Sequence, residues 1–198
     1  ISGGTVTGNI YGSAVLDAGA SGKAAKSSVT IKGGAITGDV FGGFTGGTGD
    51  AGENTVEITG GTLAGNVTGG RAVSGDADSN TVGVAVNAGS VTCGSSTGGS
   101  ASHNKVYITN AAITGDVTGG SGTVTTDNVI HLQGAAVTGN VIGGTAGSTD
   151  NVLALHYSAA RPTNRIHDFS NIQKLHFYLD ENVDGAMPPM LQLGVAAK

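Results

Sequence analysis

From Val29 onward, apolar and polar side chains follow a pattern that the chain uses again and again. Counting Val29 as zero, apolar residues fall at 0, 2, 7 and 11 (Val29, Ile31, Ile36, Val40), with Gly at 9, 13 and usually 14. The same order returns over 56–70, 106–120 and 130–144, and residues 3–12 are the back half of another copy. Successive anchors Val29, Val56, Val82, Val106, Ile130 and Leu153 lie 27, 26, 24, 24 and 23 residues apart. A period in the twenties marks an architecture of stacked units.

Apolar residues two apart belong to a strand with one buried face, because side chains alternate with period 2. Nothing repeats at 3.6 residues, so the repeat holds no helix. Positions 0 and 2 predict one short strand, and small residues at 4 and 5 (Gly33 and Gly34 in the clearest copy) predict a bend. Positions 7 and 11 line a second inward face, and the glycine pair closes the copy. The fold class that follows is all-β: a right-handed parallel β-solenoid of about six coils with a C-terminal β cap. In such a stack each coil finds shelter from water only against its neighbours. The copy that starts at Val82 is irregular. Its Gly98-Gly99 falls three residues late and Val84, Val86 and Val91 blur the pattern, so a bulge or kink is expected there.

Inserts fall between the glycine pair and the next anchor, over 14–28 and 44–54, so one corner absorbs the length variation. An Asn stands two residues before the anchor at Asn54, Asn80, Asn104, Asn128 and Asn151. Its constant spacing predicts a ladder of side-chain amides bonded from coil to coil; the plainer alternative is a solvent-facing turn residue.

Position 10 is Asn or Asp in the regular copies: Asn9, Asp39, Asn66, Asp116 and Asn140. Position 8 carries Thr7, Thr37, Thr114 and Thr138, with Ala64 in the remaining copy. Strand alternation turns both positions outward, as two rows on one flat wall. Two readings follow. The rows are a binding wall for a glycan, a partner protein or ordered water, or they are the polar, β-compatible surface that any solenoid wall needs.

Composition sharpens the picture in one place. Residues 1–150 hold 35 of the 37 glycines and the whole net charge of −5, whereas residues 151–198 hold all three prolines and three of the five histidines. We therefore expect repeats over 1–150, with 151–198 as the capping or terminal strand segment of the same domain. Within it, residues 161–164 should break the ladder, Leu175, Phe177 and Leu179 should form a strand, and Met190–Leu193 another. The acidic balance argues against nucleic acid as a partner. Apolar runs fall short of a membrane span, so no membrane insertion of this segment is expected. The chain opens on Ile-Ser-Gly-Gly without Met or a leader-like stretch, and a processed segment is expected.

Candidate chemistry is sparse. Cys93 is the single cysteine, which precludes an internal disulfide and suits a small buried strand residue. Residues 46–50, Gly-Gly-Thr-Gly-Asp, resemble a calcium-binding nonapeptide turn, but Asp50 comes one place early and no nine-residue period follows; Asp76 and Asp78 also lack companions in sequence. His103 and His131 stand at unrelated points of the repeat, and His156, His167 and His176 have no compact ligand spacing. No metal, cofactor or catalytic residue is assigned.

The cycle over 54–70, followed by 169–179 (Phe-Ser-Asn-Ile-Gln-Lys-Leu-His-Phe-Tyr-Leu), resembles the passenger regions of bacterial autotransporters and related secreted adhesins. The resemblance implies a surface-exposed or secreted, non-catalytic scaffold, displayed at the bacterial outer membrane. Its partners would be host-cell or bacterial surface proteins and glycans, or further copies of itself. Two rivals stay open: a β-helix polysaccharide lyase or glycosidase, and an ice-binding solenoid. Against the second, the row beside the Thr positions is mixed, with Tyr11, Phe41, Thr68, Thr118 and Ile142.

Overall fold

The computed structural model describes residues 1–159, 161, 163–179 and 188–194. Over these residues the chain is an all-β, parallel β-solenoid of roughly seven coils, with three sheets of seven, nine and three strands. The anchor sheet stacks Ser28–Ile31, Thr55–Ile58, Thr81–Val84, Lys105–Thr109, Val129–Gln133, Val152–His156 and Lys174–Tyr178. Its registers place Val29, Val56, Val82, Val106, Ile130, Leu153 and Leu175 one above another. The glycine sheet runs from Ile10–Val15 through Val40–Thr45, Val67–Ala72, Val91–Ser96, Val117–Ser121 and Ala136–Ile142 to Asn164–Ser170 and Leu191–Gln192. A short sheet of Ser2–Val6, Gly33–Ile36 and Thr62–Leu63 makes the third side. Further along, a bridge between Ala88 and Ile113 and the pairing of Ala112–Ile113 with Ala136–Val137 continue that side.

Each side is explained by the residues on it. Val, Ile and Thr suit an extended, half-buried strand, and every second one turns inward. The bend between the anchor and short sheets needs a left-handed residue, and Gly34 (φ 98°) and Gly61 (φ 91°) supply it without a Cβ clash. Inside, one continuous core joins Val29, Ile31, Ile36 and Val40 to their equivalents in the following coils, as far as Leu153, Leu155 and Ile166. Ile108, Ile113 and Val117 are essentially inaccessible to solvent. A coil alone would expose all of these, at a cost of about 1.5–3 kcal/mol per side chain.

The structure departs from the sequence reading in two places. The coil that starts at Val82 is in register, with Val91 paired to Val67 and Val117 and Gly94 paired to Gly70 and Gly120. Cys93-Gly94 therefore occupies the place of the glycine pair, and Gly98-Gly99 lies in the following turn. This coil is shorter on its third side, where only the Ala88 bridge remains; the register shifts fall instead at Ser2–Thr5 and Val137–Asn140. Secondly, Asn164 already lies in a strand that pairs with Ala136–Ile142, so the ladder resumes at once after the expected break. Pro162 is outside the described residues. Lys174–Tyr178, expected as a strand, pairs in parallel with Val152–His156 and adds the last rung, and the roughly seven coils agree with the expected solenoid of about six. Leu175 and Phe177, on this last rung, are 42% and 55% exposed.

Candidate functional site

The two rows read as a possible wall sit at a corner. The short strands end at Val6, Ile36, Leu63 and Ile113, and the chain bends before the glycine sheet begins. Strand alternation stops where the strand stops, so Asn9, Asp39, Asn66 and Asp116 line an edge; only Thr138 and Asn140 lie within a strand. The edge is internally bonded. Asp39 N–H donates to Asn9 Oδ1 (2.9 Å), Asn66 N–H to Asp39 Oδ1 (2.8 Å), Ser90 N–H to Asn66 Oδ1 (2.7 Å) and Asn140 N–H to Asp116 Oδ1 (2.7 Å). Thr37, Thr114 and Thr138 hydroxyls donate to carbonyls of Val6, Ala88 and Thr114 in the preceding coil. Thr7 is exposed on the first coil. These bonds tie one coil to the next along the edge.

A second ladder runs inside the opposite corner and is the one anticipated from Asn spacing. Ser27, Asn54, Asn80, Asn104 and Asn128 each donate their N–H to the side-chain oxygen of Asn54, Asn80, Asn104, Asn128 and Asn151, at 2.9–3.0 Å. Gln173 accepts from Asn151 and extends the line. All five ladder Asn side chains are fully buried. Asn54, Asn80 and Asn128 also donate Nδ2 to the carbonyls of Ala24, Ala51 and Ala101, whereas Asn104 Nδ2 finds no acceptor among the described residues. The second glycine of each pair makes room for this: a Cβ on Gly70 would lie 2.6 Å from Asn80 Nδ2. Directly before each Asn stands a residue in the left-handed region, namely Glu53, Ser79, His103, Asp127 and Asp150. His103 is thereby explained as a corner residue, with Nε2 3.5 Å from Asp127 Oδ2 in the next coil.

The acidic residues of the variable corner gain companions that sequence did not show. Asp76 N–H donates to Asp50 Oδ1, and Ser100 and Ser102 N–H donate to Asp76 and Asp78. Lys23 Nζ lies 2.6 Å from Asp50 Oδ2, and that hydrogen bond holds the Asp50 carboxyl below its ordinary range. Backbone N–H groups, the Ser100 hydroxyl and a lysine thus engage these three carboxylates. Among the described residues no group of three or more His, Cys, Asp or Glu is arranged to hold a metal ion. Cys93 is fully buried beside the carbonyls of Asn80 and Lys105, and burial pushes its thiol well above the ordinary range.

The outer face of the anchor sheet holds what the sequence reading missed. Tyr107 and His131 stack with ring centroids 4.5 Å apart and planes 4° apart; His156 and Tyr178 stack at 4.4 Å and 3°. His131 Nδ1 and His156 Nε2 lie 2.9 Å apart and join the two stacks. Burial, His156, Lys105 and His176 together lower His131 to about 4, and burial lowers His156 as well. The signal was present: His131 stands one residue after its anchor and His156 three after the next, both outward positions of adjacent coils. A second aromatic group, Tyr11, Phe41 and Phe44 with Arg71 over the Phe44 ring, lies on the glycine sheet. Compared with known protein families, with curated proteins and with solved structures, the chain matches none.

Proposed function

We propose that this chain is a non-catalytic, surface-exposed or secreted scaffold for cell adhesion or self-association, of the kind found in bacterial autotransporter passengers. One observation carries the reading: the interior is filled mainly by Val, Ile and Leu, while aromatic rings and threonines stand outside on successive rungs. A stiff stack that repeats surface groups about every 4.8 Å suits many weak contacts made at once. Partners on this reading are surface proteins, glycans or further copies of the chain.

The test couples the purified chain to beads and scores bead clustering and attachment to bacterial and epithelial cells, with sedimentation velocity across a concentration series. Clustering, attachment or a rising sedimentation coefficient supports the proposal. Dispersed beads, bare cells and a constant coefficient would remove it. Release of reducing ends or unsaturated products from pectin, alginate or glycosaminoglycans would replace it with an enzymatic role.

A further inference from the structure

The outer row of the anchor sheet has a gap. One residue after each anchor, successive coils present Thr30, Glu57, Gly83, Tyr107 and His131, paired rung to rung. Gly83 is the only one without a side chain, and packing does not require that. A Cβ built there meets a single atom, the Val56 carbonyl oxygen at 4.0 Å, whereas at Gly33 or Gly61 it would run into the neighbouring coil's backbone. Its φ is not in the left-handed region either. A strand glycine weakens the strand and often marks a bulge, a tight bend or a site where a ligand or another backbone comes close. The register through Gly83 is unbroken, with no bulge.

The missing side chain opens a slot of about 270 Å3, walled by Glu57 and Tyr107 and edged by Thr55, Thr59, Thr81 and Thr109. His131 covers one face of the Tyr107 ring, and Tyr107 remains 38% exposed, its other face turned to the gap. Glu57 and Tyr107 stand two rungs apart, about 9.6 Å by strand spacing. Less the thickness of the tyrosine ring, that admits one six-membered ring lying flat.

We propose that the slot binds a single pyranose unit of a neutral glycan. The apolar C–H face of the sugar lies on Tyr107 and continues the ring stack, since an aromatic side chain offers broad contact at low entropic cost. Sugar hydroxyls donate to the Glu57 carboxylate, a charge-assisted bond, and both donate to and accept from the threonine hydroxyls. A guanidinium only donates, and would leave those hydroxyl protons unplaced. Phosphates and uronic acids meet the Glu57 carboxylate and a net charge of −5. One ring in a shallow site binds with a Kd of about 1 mM, which repeated display would strengthen. The inference rests on the adhesive reading above, and gives that surface a ligand class.

The experiment is a 1H–15N NMR titration of the chain with the methyl glycosides of galactose, glucose, mannose and N-acetylglucosamine, each to about 50 mM. At least one sugar is expected to saturate, with shifts centred on Gly83, Tyr107 and Thr109. Gly83→Thr fills the gap and should weaken binding at least about tenfold while the thermal midpoint holds or rises, since threonine suits a strand better than glycine. Tyr107→Leu should weaken it similarly. No saturable shift with any of the four sugars, binding unchanged in Gly83→Thr, or slot shifts produced instead by acetyl-arginine amide would overturn the assignment. The bead assay on Gly83→Thr separates the two readings: adhesion that persists after sugar binding is lost places adhesion elsewhere on the stack and leaves the slot a sugar site.

Discussion

An asparagine side chain does different work at the two ladders, and the surrounding solvent decides how much. At Asn80 the amide oxygen takes the buried N–H of Asn54, and Nδ2 serves the carbonyl of Ala51. Asn80→Ala strands both groups where no water reaches, at about 1–3 kcal/mol for each orphaned group, and we expect a total loss of about 2–6 kcal/mol in urea unfolding. Asn66 makes the same kind of bond to Ser90 N–H on an exposed edge. Water replaces it there, so Asn66→Ala should cost under about 1 kcal/mol in the same measurement. Equal losses at the two sites would show that the corner around Asn80 is wet.

Strands carry the next two expectations. Ile108 lies at the middle of the anchor sheet and is 1% exposed, against Val84 on one side and Leu132 on the other. Ile108→Ala should lower stability by about 2–5 kcal/mol, because the flanking coils cannot collapse into the space without breaking their own register. On the outer face of that sheet the His131–His156 contact at 2.9 Å needs one donor and one acceptor, so it cannot hold with both rings charged. Folded His131 protonates only near pH 4, whereas the unfolded chain takes that proton near pH 6.5. Between those values the unfolded state binds more protons, so stability is full above about pH 6.5 and is lost as pH falls towards 4. His156, Lys105 and His176 face His131 and push in the same direction. The thermal midpoint of the native chain should fall across that window, and His131→Phe should flatten the decline while keeping the ring stacked on Tyr107.

For the whole molecule, stability is a sum over coils and the interfaces between them, so opening anywhere leaves two raw faces. Cys93 reports on this from the middle of the stack, as a buried thiol held in its neutral form. Ellman's reagent should leave it unmodified in native buffer and react fully in urea, with the labelling transition tracking the loss of β-structure. Prompt native labelling would mean that the stack parts at the coil of Val82 far more readily than its register implies.

Most of the architecture could be read from the chain because it follows from local periodicity. Spacing at 0 and 2 assigns inward and outward sides of a strand, and a period in the twenties leaves stacking as the way to cover the inward side. The Val29-to-Leu153 column and the buried Asn ladder were legible on that basis, since both keep a constant distance from the anchor. Lateral meetings were not. Whether His131 touches His156, whether Cys93-Gly94 replaces a glycine pair, and whether Thr7 and Asn9 lie on a wall or an edge all depend on how many residues each corner consumes. That quantity sets which side chains, some 24 positions apart, share a rung. The gap over Gly83 belongs with them: in the sequence it is one glycine among 37, and only its neighbours above and below make it a place where something else fits.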